Sequence, residues 1–162
     1  MTRHTLSQTI DEFDTRFTAF LNRWSLPFLR ASLGLVFLWF GALKLFPGMS
    51  PAEDLVQATT KILFLGLIPG REAVALIGIW EVVIGLGLLT GRFMRTTLAL
   101  LALQMVGAFS PLILFPFATF VIPPFTPTLE GQYIIKNIVL VAAALVLGAN
   151  VRVAQNAPKT QD

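Results

Sequence analysis

Residues 26–46 read LPFLRASLGLVFLWFGALKLF, charged only at Arg30 and Lys44. A helix needs about 20 mostly apolar residues to cross the hydrocarbon core of a bilayer, and this run supplies them. Three further runs have the same character. They are AVALIGIWEVVIGLGLLT (73–90), with Glu81 in its middle, TTLALLALQMVGAFSPLILFP (96–116), and Tyr133 to about Val151, with Lys136 near its start. Four spans in one short chain predict an all-α integral membrane four-helix bundle.

The composition agrees. Of 162 residues, 55% are hydrophobic types and only 13% are charged, where a water-soluble domain carries roughly 25% charged residues. Mean hydropathy is +0.74. Soluble globules, disordered chains and nucleic-acid-binding modules are excluded on this ground. The net charge of +3 comes from thinly spread Lys and Arg, with no basic stripe alternating with aromatics. The chain has no Cys, and its one His is at position 4, which excludes disulfides, thiol redox chemistry, iron–sulfur clusters and Cys/His metal sites within it.

The first span follows Asp11, Glu12 and Asp14 and no A-x-A-like site follows it, so it is expected to be retained rather than cleaved as a signal peptide. Cation placement sets orientation. Arg3, Arg16, Arg23 and Arg30 precede or open the first span, Arg92 and Arg95 lie between the second and third, and Arg152 and Lys159 follow the fourth. In the first connection Lys61 and Arg71 are offset by Glu53, Asp54 and Glu72, and the third, 117–132, has Glu130 and no cation. Both termini are therefore expected in the cytoplasm, with the first and third connections outside.

Outside the spans, residues 8–24 are amphipathic: Ile10, Phe13, Phe17, Phe20, Leu21 and Trp24 fall at helical spacing. They predict a helix lying in the cytoplasmic interface and leading into the first span, or packed on a partner subunit. Ser50-Pro51-Ala52-Glu53 reads as a capping box opening a short outer-surface helix that Pro69-Gly70 stops. Pro116, Pro123, Pro124 and Pro127 break the stretch FPFATFVIPPFTPTLEGQY (115–133), whose four Phe (Phe115, Phe117, Phe120 and Phe125) suit an interfacial cap. The expected organisation is an arm over 1–25, one membrane domain over 26–151 and a polar tail over 152–162.

Ionisable groups within spans are costly, so function is sought there first. Arg30, Gly34, Phe37, Gly41 and Lys44 form one stripe of the first span, and Val74, Gly78, Glu81 and Gly85 one stripe of the second. Gly34, Gly41, Gly78 and Gly85 let a neighbouring backbone come close, so both stripes should face the bundle interior. Glu81 is too deep and too short to reach the surface: it must be paired or carry a proton. The candidate polar cluster is Glu81, Lys44 and Lys136, with Tyr133 above it and Gln104 from the third span. Each has a plainer reading. Lys44 and Lys136 can snorkel to headgroups, Gln104 can be an interhelical hydrogen-bond donor, and the Glu81 pairing can serve structure alone. Arg30 is read as a headgroup-phosphate anchor. No catalytic residue or metal site is expected: nucleophile–base pairs, metal-ligand clusters and phosphate loops are absent from the pattern.

Three stretches carry a family resemblance: RASLGLVFLWFGALKLFPG (30–48), Glu81 followed by IGLGLLTG (84–91), and GQYIIKNIVLVAAAL (131–145). The chain resembles the DoxX-like membrane proteins, nearest the YkgB-type branch associated with reactive-chlorine resistance, over roughly residues 28–150. The family pattern maps onto Arg30, Gly34, Gly41, Lys44, Glu81 and Lys136, while many relatives carry Asp where Asn137 stands here. The resemblance implies a four-helix membrane bundle. It also implies a setting, since one relative is a subunit of a thiosulfate:quinone oxidoreductase, others are linked to oxidative or chlorine stress, and distant ones are membrane chaperones.

The leading expectation is therefore an accessory membrane protein of stress or redox physiology, whose Glu/Lys cluster binds a quinone or lipid headgroup or docks a partner. No other cofactor is evident. The expected partners are the bilayer and a membrane or soluble protein, or a second copy, with no nucleic acid. A membrane-protein assembly factor is the alternative, followed by a small transporter or proton relay, and a stand-alone enzyme ranks last, a quinone-linked oxidoreductase subunit being the only enzymatic role in view.

Overall fold

The computed structural model describes residues 3–50 and 53–156. Pro51 and Ala52 of the expected capping box, and the tail beyond Asn156, lie outside the described residues. Helix α1 spans Arg3–Lys44, α2 Glu53–Leu63, α3 Gly70–Thr90 and α4 Met94–Phe109. Two single turns, α5 (Pro111–Leu114) and α6 (Pro116–Thr119), and a hairpin of β1 (Phe120–Ile122) and β2 (Thr126–Pro127) lead into α7 (Leu129–Asn156). Four helices are long and apolar enough to cross a membrane: 11–44, 70–90, 94–114 and 129–151. The protein is an all-α membrane bundle.

Helix α1 differs from expectation. The arm and the first span form one helix of 42 residues, about 63 Å at 1.5 Å per residue, or twice the hydrocarbon thickness. No separate interfacial helix precedes the span. The physical reason is that residues 15–26 contain neither Gly nor Pro, so nothing ends the helix. Pro27 within it removes a single backbone donor, and the helix continues past it. Phe13, Phe17, Phe20 and Trp24 are exposed, facing away from the rest of the chain.

The short helix α2 ends at Leu63, before Pro69-Gly70. Its terminator is Gly66, at φ +71°, whose N–H returns to Lys61 O at 2.7 Å. This positive φ is where glycine costs least. Pro69 instead opens α3, its carbonyl accepting the Ala73 N–H at 2.9 Å. The third span is also broken, because Pro111 cannot donate to the ladder and α4 ends at Phe109. After it, the Pro-rich connection forms a small antiparallel hairpin, Phe120 opposite Pro127 and Ile122 opposite Thr126, which the apolar pattern did not foretell. Thr128 then caps α7, accepting the Gly131 N–H on Oγ1 at 3.2 Å.

Burial is inverted relative to a soluble protein. A narrow core of Leu33, Phe37, Ile84, Leu88, Leu101, Met105 and Leu147 joins α1, α3, α4 and α7. Around it Trp39, Val83, Val106 and Val139 are at least half exposed, as side chains facing lipid should be.

Candidate functional site

The site begins with how closely α1 and α3 approach. A Cβ on Gly41 would stand 2.9 Å from Gly78 O, and one on Gly78 would stand 2.8 Å from Gly41 O. Gly34 and Gly85 repeat the arrangement: a Cβ on Gly85 would stand 2.8 Å from Gly34 O. Two glycine pairs, each seven residues apart on its own helix, thus set the antiparallel register of α1 on α3 with backbones in contact. That register brings Glu81 level with Gly41, whose added Cβ would lie 2.8 Å from Glu81 Cβ, and sets Lys44 Cβ beside Gly78.

Lys44, the last residue of α1, therefore turns into the bundle. Its Nζ donates to Glu81 Oε2 at 2.6 Å, and the two side chains are 13% and 12% exposed. The other carboxylate oxygen, Oε1, accepts from Gln104 Nε2 of α4 at 2.9 Å. Three helices thus each contribute one polar side chain, and both Glu81 oxygens are engaged. Trp80, next to Glu81, crosses to the same neighbour and donates from Nε1 to Leu100 O at 3.2 Å, which locks α3 and α4 at this level.

A second layer closes the end of α1. Arg71 donates from Nη1 to Lys44 O at 3.0 Å and from Nη2 to Leu45 O at 2.7 Å. A guanidinium on the carbonyl end of a helix meets both its unpaired acceptors and its negative dipole end. Arg71 Nη1 is also 3.4 Å from Glu53 Oε1, and Glu53 Oε2 accepts the Gly48 N–H at 3.0 Å. The sequence reading missed this layer. Its signal was Glu53 and a cation at the start of the second span, opposite the end of the first.

A comparison with protein-family models matches DoxX over residues 25–121. The chain belongs to the DoxX family. The DoxX match contains Arg30, Lys44, Glu81 and Gln104 and ends before Tyr133 and Lys136. No curated protein and no solved structure matches the chain.

In this DoxX bundle Lys136 and Tyr133 do not join the trio, which corrects the expected cluster. Both face outward from α7, with the Lys136 ammonium over the Tyr133 ring at 5.5 Å from its centroid. The reason is helix order: α7 packs mainly on α4, with Gly148 against Leu98, so its first turns lie away from Glu81. Arg30 sits far along α1 from the trio, its guanidinium pressed against Gly91, where an added Cβ would run into Nη1.

Proposed function

We propose that this DoxX-family protein is an accessory component of the inner membrane, of the YkgB type, acting in oxidative or reactive-chlorine stress or membrane redox physiology, with both termini cytoplasmic. Its recognition point is the Lys44–Glu81–Gln104 trio, which takes the polar headgroup of a quinone or lipid. The observation that carries this reading is a mostly buried ion pair shared by three helices at close-packed glycines. An ammonium has three N–H donors, and Lys44 gives one to Glu81. In this reading the others meet a carbonyl or phosphate oxygen of the headgroup.

The test is native mass spectrometry of wild type and Glu81→Gln in mild detergent, with decylubiquinone and phosphatidylethanolamine as probes. A stoichiometric adduct present in wild type and lost in the variant supports the reading. Equal spectra from both proteins overturn it and leave the trio a structural device.

A partner-docking role is the second reading, and Lys136 favours it. A cation lying exposed on a spanning helix, over the Tyr133 ring, is suited to a partner helix carrying an acceptor. Loss of a co-purifying membrane protein in Lys136→Ala, with the trio intact, would select this reading.

A further inference from the structure

Helix α1 outruns the bundle. Arg30 stands level with Gly91, where α3 ends, yet the helix begins at Arg3. Every residue from Asp11 to Ser25 is exposed, so nothing among the described residues covers this segment. Its large apolar side chains nevertheless keep to one side. Phe13, Phe17, Phe20 and Trp24 recur at helical spacing, and the Phe13 and Phe17 rings stack with centroids 6.2 Å apart.

The stripe does not stop where the bundle starts. Phe28, Ala31, Leu35 and Trp39 carry it along the exposed side of the span. Eleven residues separate Phe13 from Trp24 and Trp24 from Leu35, and the same interval separates Phe17 from Phe28 and Phe28 from Trp39. An 11-residue repeat is about 3.67 residues per turn, close to the helical 3.6, so these side chains lie along one line of a nearly straight helix.

Lipid reaches only part of that line. Phe13 precedes Arg30 by 17 residues, about 25 Å along a helix, whereas headgroups add only about 5–8 Å to each side of the hydrocarbon. The line therefore begins in water and ends in the bilayer, and what covers it must do the same. A second α1 of identical length and pattern meets that condition from end to end.

Charge and area favour this occupant. Asp14 borders the stripe on one flank and Arg16 on the other. Arg23 shares the Arg16 flank, with its guanidinium 5.7 Å from the Trp24 ring centroid. Parallel helices related by a two-fold axis set opposite flanks together, so the acidic edge of each copy meets the basic edge of the other. Antiparallel helices would set like against like. Two copies inserted in the same sense in one bilayer are parallel. The rings of Phe13, Phe17, Phe20, Trp24, Phe28 and Trp39 are each at least half exposed. At about 150–250 Å² per aromatic side chain, they offer roughly 600 Å² or more, most of the ~800 Å² that each partner of a stable interface buries.

We propose that α1 joins two copies of this chain as a parallel, two-fold pair along the line from Phe13 to Trp39. The chain has no Cys, so single Cys substitutions in the full-length protein, oxidised by copper phenanthroline in native membranes, report the contact directly. Phe17→Cys and Phe20→Cys lie on the line, and Thr15→Cys and Asn22→Cys on the opposite side of the same helix. All four lie outside the bundle core, which folds without them.

The first two variants are expected to give a disulfide-linked species at twice the 17.8 kDa of the chain, and the last two to stay single. In the Phe17→Cys background, Asp14→Arg should cut the yield about fivefold, and Asp14→Arg with Arg16→Asp should restore it. Equal yields from both sides of the helix, no product from either, or a product only with a different protein overturns the proposal. So does a charge swap that fails to restore what Asp14→Arg removed.

Discussion

Glu81 holds Lys44 on one oxygen and Gln104 on the other, so it has no conservative replacement. Glu81→Gln leaves the Lys44 ammonium without its counter-charge in a mostly buried place, and breaking such a pair from one side costs about 3–5 kcal/mol. Removing both charges together, as Lys44→Met with Glu81→Gln, should recover much of that loss. A double-mutant cycle on thermal unfolding in detergent checks this: additive losses would show that the pair is not coupled. Lys136→Ala is the complementary control. Its ammonium lies over the Tyr133 ring and the residue is exposed, so stability should stay within about 0.5 kcal/mol of wild type. The two lysines looked alike in the sequence, each near the outer end of a span. What separates them is which helix stands beside α3, and hydropathy carries no information about neighbour order. Arg71 escaped notice for a related reason, because its bonds to the end of α1 join segments distant in the chain.

Elements were more legible than contacts. The four spans follow from apolar length alone, and the glycine stripes of 34/41 and 78/85 follow from helical spacing, because both are properties of one segment at a time. The uninterrupted α1, the early stop of α2 and the β1–β2 hairpin were not legible. The first needs the absence of a break to be weighed above amphipathicity, the second turns on one positive-φ glycine, and the third is a pairing of two very short stretches. Packing of α1 on α3 should be intolerant of even one methyl group. Gly78→Ala places a Cβ 2.8 Å from Gly41 O and 2.9 Å from Lys44 Cβ, and the forced separation should cost about 1–3 kcal/mol, read as a lowered melting temperature. Gly107, with nothing within 4 Å of an added Cβ, should accept Ala without loss. At the start of α7, Thr128→Ala removes the hydroxyl that accepts the Gly131 N–H and also donates to Ala118 O. A loss of about 1 kcal/mol is expected, with Thr128→Ser restoring it.

At the scale of the whole molecule, the absence of cysteine makes the expected orientation directly testable. A single Cys introduced at Thr18 should react with an impermeant maleimide only after cells are permeabilised, and one at Val121, on the exposed hairpin, should react in intact spheroplasts. The reverse pattern would overturn the cytoplasmic placement of the termini. The bundle is not equally knit throughout, for α1 and α3 meet backbone to backbone, whereas α7 leans chiefly on α4. The buried ion pair belongs wholly to the first two spanning helices. During synthesis, then, the cation and the acid leave the ribosome before the third span exists, and they can enter the bilayer as a matched couple rather than as two separate charges. Gln104 arrives afterwards, as a latch on an ion pair already matched. Order along the chain thereby becomes order of assembly, and reversing it by circular permutation would force one charge to wait in the membrane for its partner.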